Sequence, residues 1–222
     1  MPNIQTNTKR LAEAARTEAF SDACFAIAIT LLVLEFKLPE FEEGKLSGSL
    51  FQLWPSLVAF FFSFTYIGII WLNHHALFNH IKYVDGNVLW INLGILLTTV
   101  LLAFPTGVLA DAFRHGNETD KGVAVALYSI SAGLMSVAWI PVFEYFKKHP
   151  ELLEDHSSPD FFRMQRIRPW IGVAFYGLAA VIGQYMPLSG IFILLLVVVY
   201  HAYTSEGNTL RKSKRQHPQA RV

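Results

Sequence analysis

One carboxylate and three histidines stand among apolar residues where chemistry would have to be explained. Asp22 sits near the start of the first apolar block, and His74, His75 and His80 sit at the close of the second. An ionisable group inside such a block is costly unless it is paired. Three uses fit these residue types: metal ligation, a proton relay between Asp22 and His74 or His75, and a structural clasp. Adjacent histidines point to different faces of a helix, and no spaced histidine pair comes with a further placed ligand, so no metal site is expected. A clasp is the favoured reading. In it Ser21 and Asp22 meet Trp71, Asn73, His74 and His75 at one membrane level. Asp22 lies about 140° around the helix from Ile27, so it faces neighbouring helices.

The same first block carries a second pattern. Ile27, Leu31 and Leu34 recur at i, i+4 and i+7, with Thr30 beside them. Ala19 and Ala23 continue this stripe to one end, and Glu35 and Leu38 to the other. Several copies of such a helix around an axis would make a pore with an apolar constriction and an acidic outer mouth. Apolar constrictions gate by dewetting, and acidic rings favour cations. Spacing alone favours an ordinary bundle core, since almost any membrane helix carries such a stripe. The chain has no Gly-rich phosphate loop, no Gly-x-Ser-x-Gly elbow, no His-Glu-x-x-His and no Thr-Val-Gly-Tyr-Gly filter. Enzyme is therefore an unattractive class, and no cofactor is expected.

The elements that must hold these residues are membrane helices. Of 222 residues, 53% are hydrophobic and 16% charged, against roughly 25% charged in a soluble domain. Net charge is +1, which suggests no nucleic-acid partner. The apolar residues form blocks at 20–38, 55–72, 88–110, 122–146, 170–186 and 188–203. Each approaches the roughly 20 residues that span hydrocarbon, and lipid forces a bare backbone to be helical. The expectation is an all-α fold of six transmembrane helices. A four-helix part (20–146) is joined by a linker (147–169) to a helical hairpin (170–203) turned at Pro187. The N-terminal stretch 1–19 is polar and lacks a signal-peptide core, so the first block stays in the protein. A basic tail follows at 204–222. With six spans, fourteen Lys and Arg fall on the side of the termini and four (Lys37, Lys45, Arg114, Lys121) on the other. Both termini should be cytoplasmic. Cys24 stands alone, so there is no disulfide framework. Asn117-Glu118-Thr119 is a weak glycosylation sequon on the far side. Gly172, Gly177 and Gly183 would allow close helix approach.

Arg16-Thr17-Glu18-Ala19-Phe20-Ser21-Asp22, followed by Phe25-Ala26-Ile27-Ala28-Ile29-Thr30-Leu31-Leu32, closely resembles the signature of the transmembrane-protein-175 family. These are the lysosomal potassium channels and their bacterial relatives. The close of the second block, with Trp71, Asn73, His74, His75 and Phe78, is also similar to the family pattern. A single six-helix unit resembles the bacterial branch. The resemblance implies a homotetrameric channel that passes potassium better than sodium, in a bacterial inner membrane. It implies that the first helix lines the pore, with Ile27, Leu31 and Leu34 as constriction and Thr30 as a nearby hydroxyl; Glu35, at the outer end of the stripe, would then stand at the outer mouth. Arg16, Phe20, Ser21 and Asp22, with the histidine end of the second helix, would brace that lining helix. A proton-coupled transporter using Asp22 and His74 or His75, and a non-conducting membrane scaffold, are the competing readings.

Overall fold

The computed structural model describes residues 4–37, 40–154 and 165–205, with side chains described from residue 13 onward. The basic tail from 206, the linker stretch 155–164 and Leu38 lie outside the described residues. Helix α1 runs Ile4–Leu31 and closes in a 3-10 turn, Leu32–Glu35. A short α2, Leu46–Phe51, leads into α3, Trp54–Phe78. Then come α4 (Gly86–Val100), α5 (Ala103–His115), α6 (Glu118–Lys148), α7 (Arg168–Tyr185) and α8 (Pro187–Thr204). No strand occurs among the described residues; the only β-type pairing there is an isolated bridge between Ile81 and Leu153.

The helix boundaries follow from local chemistry. Prolines open α3, α7 and α8, where a missing N–H costs little. Asp85 caps α4 by accepting the Val88 N–H at 2.9 Å. Asn117 and Asp120 form a reciprocal capping box at the start of α6, with distances of 3.0 and 3.1 Å. The sequon asparagine is thus a helix cap. The third apolar block, expected as one helix, is two. Pro105 has no N–H to offer the Leu101 carbonyl one turn back, and the helix breaks at Leu101 and Leu102.

Five segments are long and apolar enough to cross a membrane: Glu13–Glu35, Leu46–Phe78, Gly86–His115, Glu118–Lys148 and Pro187–Thr204. Helix α7 is the sixth long helix but is not among these. It carries Gly172, Gly177, Gly183 and Gln184 in place of larger apolar residues, and it packs its length against α6 and α8.

Helix α6 is the hub, contacting α4, α5, α7 and α8. It buries Val125, Tyr128, Ala132 and Met135 almost completely. A polar string crosses the core. The Thr106 hydroxyl donates to its own helix at the Leu102 carbonyl, 2.7 Å away. Ser63 must then donate to Thr106 (2.8 Å) and accept from the Tyr128 hydroxyl (2.9 Å). This ties α3, α5 and α6 together where no water can substitute.

Candidate functional site

Helix α1 lies at the edge of the bundle, chiefly against α3 and α4. Its inner face is Ser21, Phe25, Ala28 and Leu32, each at most 1% exposed. The opposite face carries Ile27, Leu31 and Leu34, which are 56%, 36% and 71% exposed. Within one chain these three do not belong to the buried core. Thr30 is also exposed, and its hydroxyl donates to the Ile27 carbonyl at 2.9 Å. The hydroxyl proton is therefore spent on the helix, and the oxygen is turned outward as an acceptor only.

Glu35 leaves the stripe. Through Leu32–Glu35 the backbone tightens to about 120° per residue. In that geometry residues three apart eclipse, so Leu34 falls in line with Leu31 while Glu35 falls in line with the buried Leu32. The Glu35 carboxylate accordingly rests against α5 at Gly107, where a Cβ would come within 1.8 Å of Oε2. It lines a cleft of about 600 Å³ with Asp111, His115 and Asp120. A uniform helical step of about 100° would instead have left Glu35 about 40° from Leu31, beside the exposed stripe.

The polar residues at the other end of α1 make three contacts with neighbouring helices. Glu18 meets His75 at 3.0 Å. Asp22 accepts the Trp71 indole N–H at 2.8 Å. These pairs are four residues apart on each helix, as an antiparallel crossing requires. The third contact runs through Asn92 of α4, and its direction can be worked out. Ser21 Oγ donates to the Thr17 carbonyl at 2.8 Å, an acceptor only. Ser21 must therefore accept from Asn92 Nδ2, at 2.9 Å. The Asn92 amide oxygen then faces His74 Nε2 at 2.8 Å, so that nitrogen carries the proton. The His74 ring is fully buried between Phe25, edge-on at 5.1 Å, and Phe78, stacked at 4.6 Å.

Asn73 points elsewhere, into a cavity between α3, α6, α7 and α8. Arg16 and the 54%-exposed Phe20 line an open cleft beside Leu89 and Leu93 of α4. Asn92 was not among the residues singled out from sequence. Its signal was a lone amide in Leu89-Trp90-Ile91-Asn92-Leu93-Gly94-Ile95, since a polar group inside a membrane helix needs a partner. Among the described residues no group of three or more His, Cys, Asp or Glu could hold a metal ion.

A family model described as "Endosomal/lysosomal potassium channel TMEM175" matches residues 16–103, which contain α1 from Arg16 onward and the whole polar site. A potassium channel of Streptomyces collinus is 36% identical over 167 residues, covering 75% of this chain and 80% of that protein. The cattle endosomal/lysosomal proton channel TMEM175 is 36% identical over 152 residues, which is 64% of this chain and 30% of that longer protein. Among solved structures, a lysosomal potassium-selective channel TMEM175 homologue from Chamaesiphon minutus superposes with a TM-score of 0.73 at 28% identity, covering 86% of this chain and 97% of that one. With its signature residues, its helical fold and these relatives in agreement, the chain is a multi-pass membrane protein that belongs to the TMEM175 family of ion channels.

Proposed function

We propose that this chain is a potassium-preferring cation channel. Four copies would surround one axis, with α1 of each lining the pore and Ile27, Leu31 and Leu34 forming an apolar constriction. The observation that carries this reading is the division of α1 into two faces. One is buried to within 1% and braced by polar contacts; the other presents large branched side chains that the chain itself leaves uncovered. The first face would hold the helix at a fixed azimuth, so that the second meets its symmetry mates at a defined radius. Cations would pass these layers partly dehydrated when the helices move enough to wet them. The Thr30 oxygen, an acceptor only, offers one ligand beside the constriction. Glu35 and the loop acids Glu40, Glu42 and Glu43 would concentrate cations at the outer end. The charge asymmetry supports cytoplasmic termini, and a bacterial inner membrane fits the one-unit form.

The test is potassium flux against sodium flux in liposomes, with Ile27→Asn alongside. The expected result is faster potassium flux, and in the variant a higher rate with weaker discrimination. Unchanged flux in Ile27→Asn would remove Ile27 from the constriction. Absent flux in a folded tetramer would favour the scaffold reading.

Proton coupling through Asp22 and His74 is the weaker reading. The link from His74 toward α1 passes through the Asn92 amide, which holds its protons and cannot hand one on. Asp22 is bound to an indole, which donates but does not accept.

A further inference from the structure

The cavity into which Asn73 points lies outside the α1 site, among the ends of α3, α6, α7 and α8. It measures about 50 Å³ to a water-sized sphere, against the ~10–15 Å³ that one water requires. Leu77 and Phe143 give it apolar walls. Two of its polar residues, Trp139 and His201, are each only 8% exposed. Neither the Trp139 indole N–H nor His201 Nε2 has a hydrogen-bond partner. Buried polar groups are normally satisfied, so two orphans on one cavity ask for an occupant.

The remaining lining chooses the sign of that occupant. Arg168 lies half-buried at the cavity, its guanidinium oriented by a 2.6 Å bond to Gln165 Oε1. Arg168 also begins α7, and the residue before it provides no side-chain cap. The positive end of the helix dipole therefore adds to the arginine charge. The Trp139 indole can only donate, and the Asn73 amide can donate. Glu144, the nearby carboxylate on α6, is taken by Arg166 at 2.5 Å. Donors and positive charge over apolar walls suit an oxygen-rich anion that carries a hydrocarbon part.

We propose that this cavity binds a phosphate group, with the Trp139 indole N–H, the protonated Nε2 of His201 and the Arg168 guanidinium as its donors. The group comes either from the headgroup of an anionic phospholipid or from free phosphate. The cavity residue Phe143 lies one turn before Lys147 and Lys148 at the end of α6, and basic residues at the end of a membrane helix mark the headgroup side.

Native mass spectrometry of the purified full-length protein, with dioctanoyl-phosphatidylglycerol or inorganic phosphate as probe, tests this. Trp139→Phe removes only the donor, and Arg168→Gln removes the charge. The wild type should retain one phosphatidylglycerol per chain, and each variant should bind it about fivefold more weakly or worse. Trp170→Phe, an exposed aromatic outside the cavity, should bind as the wild type does. Displacement of the lipid by millimolar inorganic phosphate would assign the site to phosphate as such. Persistence of the lipid would assign it to the phospholipid. Thermal melts of both variants check that they fold. Equal binding by the wild type and two folded cavity variants, or no binding of either probe to the wild type, would overturn the proposal and leave the cavity to water.

Discussion

At the scale of single residues, the polar site pairs each side-chain donor with one acceptor. Asn92 joins two others by hydrogen bonds, His74 on one side and Ser21 on the other. Removing it leaves the buried His74 ring with no hydrogen-bond partner and takes the incoming donor from Ser21, which keeps its bond to Thr17, whereas removing Ser21 leaves only one Asn92 amide proton unpaired. A buried group left unpaired costs about 1–3 kcal/mol. Asn92→Ala should therefore lower the thermal stability of the purified protein clearly more than Ser21→Ala, read from melting in detergent. Equal losses would mean that Asn92 is not the junction. Asp22 differs because Trp71 asks only for an acceptor. Asp22→Asn should retain that bond and fold nearly as the wild type does, while Asp22→Ala should be less stable and assemble poorly on a sizing column.

At the scale of elements, close helix approach depends on particular glycines. A Cβ on Gly190 would meet the Gly183 Cα at 2.5 Å, backbone against backbone across the α7–α8 hairpin. No side chain can yield there, so Gly190→Ala should cost about 1–3 kcal/mol through overpacking. A Cβ on Gly177 meets nothing within 4 Å, so Gly177→Ala should be tolerated. Gly172 and Gly183 match the close approach expected of them, while Gly177 does not, because its face turns away from α6 and α8. Gly107 is a third case. Its obstacle is the flexible end of Glu35, which can swing aside. Gly107→Ala should leave the melting temperature nearly unchanged and re-aim the Glu35 carboxylate; altered cation flux with an unaltered melt is the expected result. The 3-10 turn below Glu35 is equally an element-scale effect, since it turns Glu35 away from Leu31 and toward the side of the buried Leu32.

At the scale of the whole molecule, the loop between α3 and α4 is stapled to the end of α6 and the linker beyond it. Lys82 N–H and Tyr83 N–H both reach the Leu152 carbonyl, at 2.8 and 3.1 Å, and Glu154 N–H reaches the His80 carbonyl at 2.9 Å. Asp85 closes the staple by accepting the Tyr145 hydroxyl at 2.5 Å. Burial alone would raise the Asp85 carboxyl, but the bonds from Tyr145, Val88 and Asn87, with the charge of His149, outweigh it and hold the carboxyl below its usual range. A depressed carboxyl favours the folded state at pH above the ordinary carboxylate range, and this support is lost as pH falls through the depressed value. Asp85→Asn keeps the helix cap but not the charge. Its melting temperature should lie below that of the wild type at neutral pH, and the two should converge on acidification below the carboxylate range. A gap that stays constant with pH would remove Asp85 from the staple.

Much of this was legible in the chain by itself. Block length and the demands of lipid determine helices, prolines and polar caps determine where they start, and the Arg-x-x-x-Phe-Ser-Asp signature determines the family. The i, i+4, i+7 spacing placed Ile27, Leu31 and Leu34 on one face, because periodicity is a local property of a helix. What only the tertiary structure decided are the matters that depend on two helices at once. Sequence placed Asn73 with His74 and His75, yet a step of about 100° per residue sends neighbours to different partners: His74 to Asn92, His75 to Glu18 and Asn73 to the far cavity. Asn92 became part of the site only through its position on α4 across from α1. The break at Pro105 and the tightening at Leu32–Glu35 change azimuth within a block that composition reads as uniform. Composition counts what a helix carries, whereas packing chooses which side of it is used.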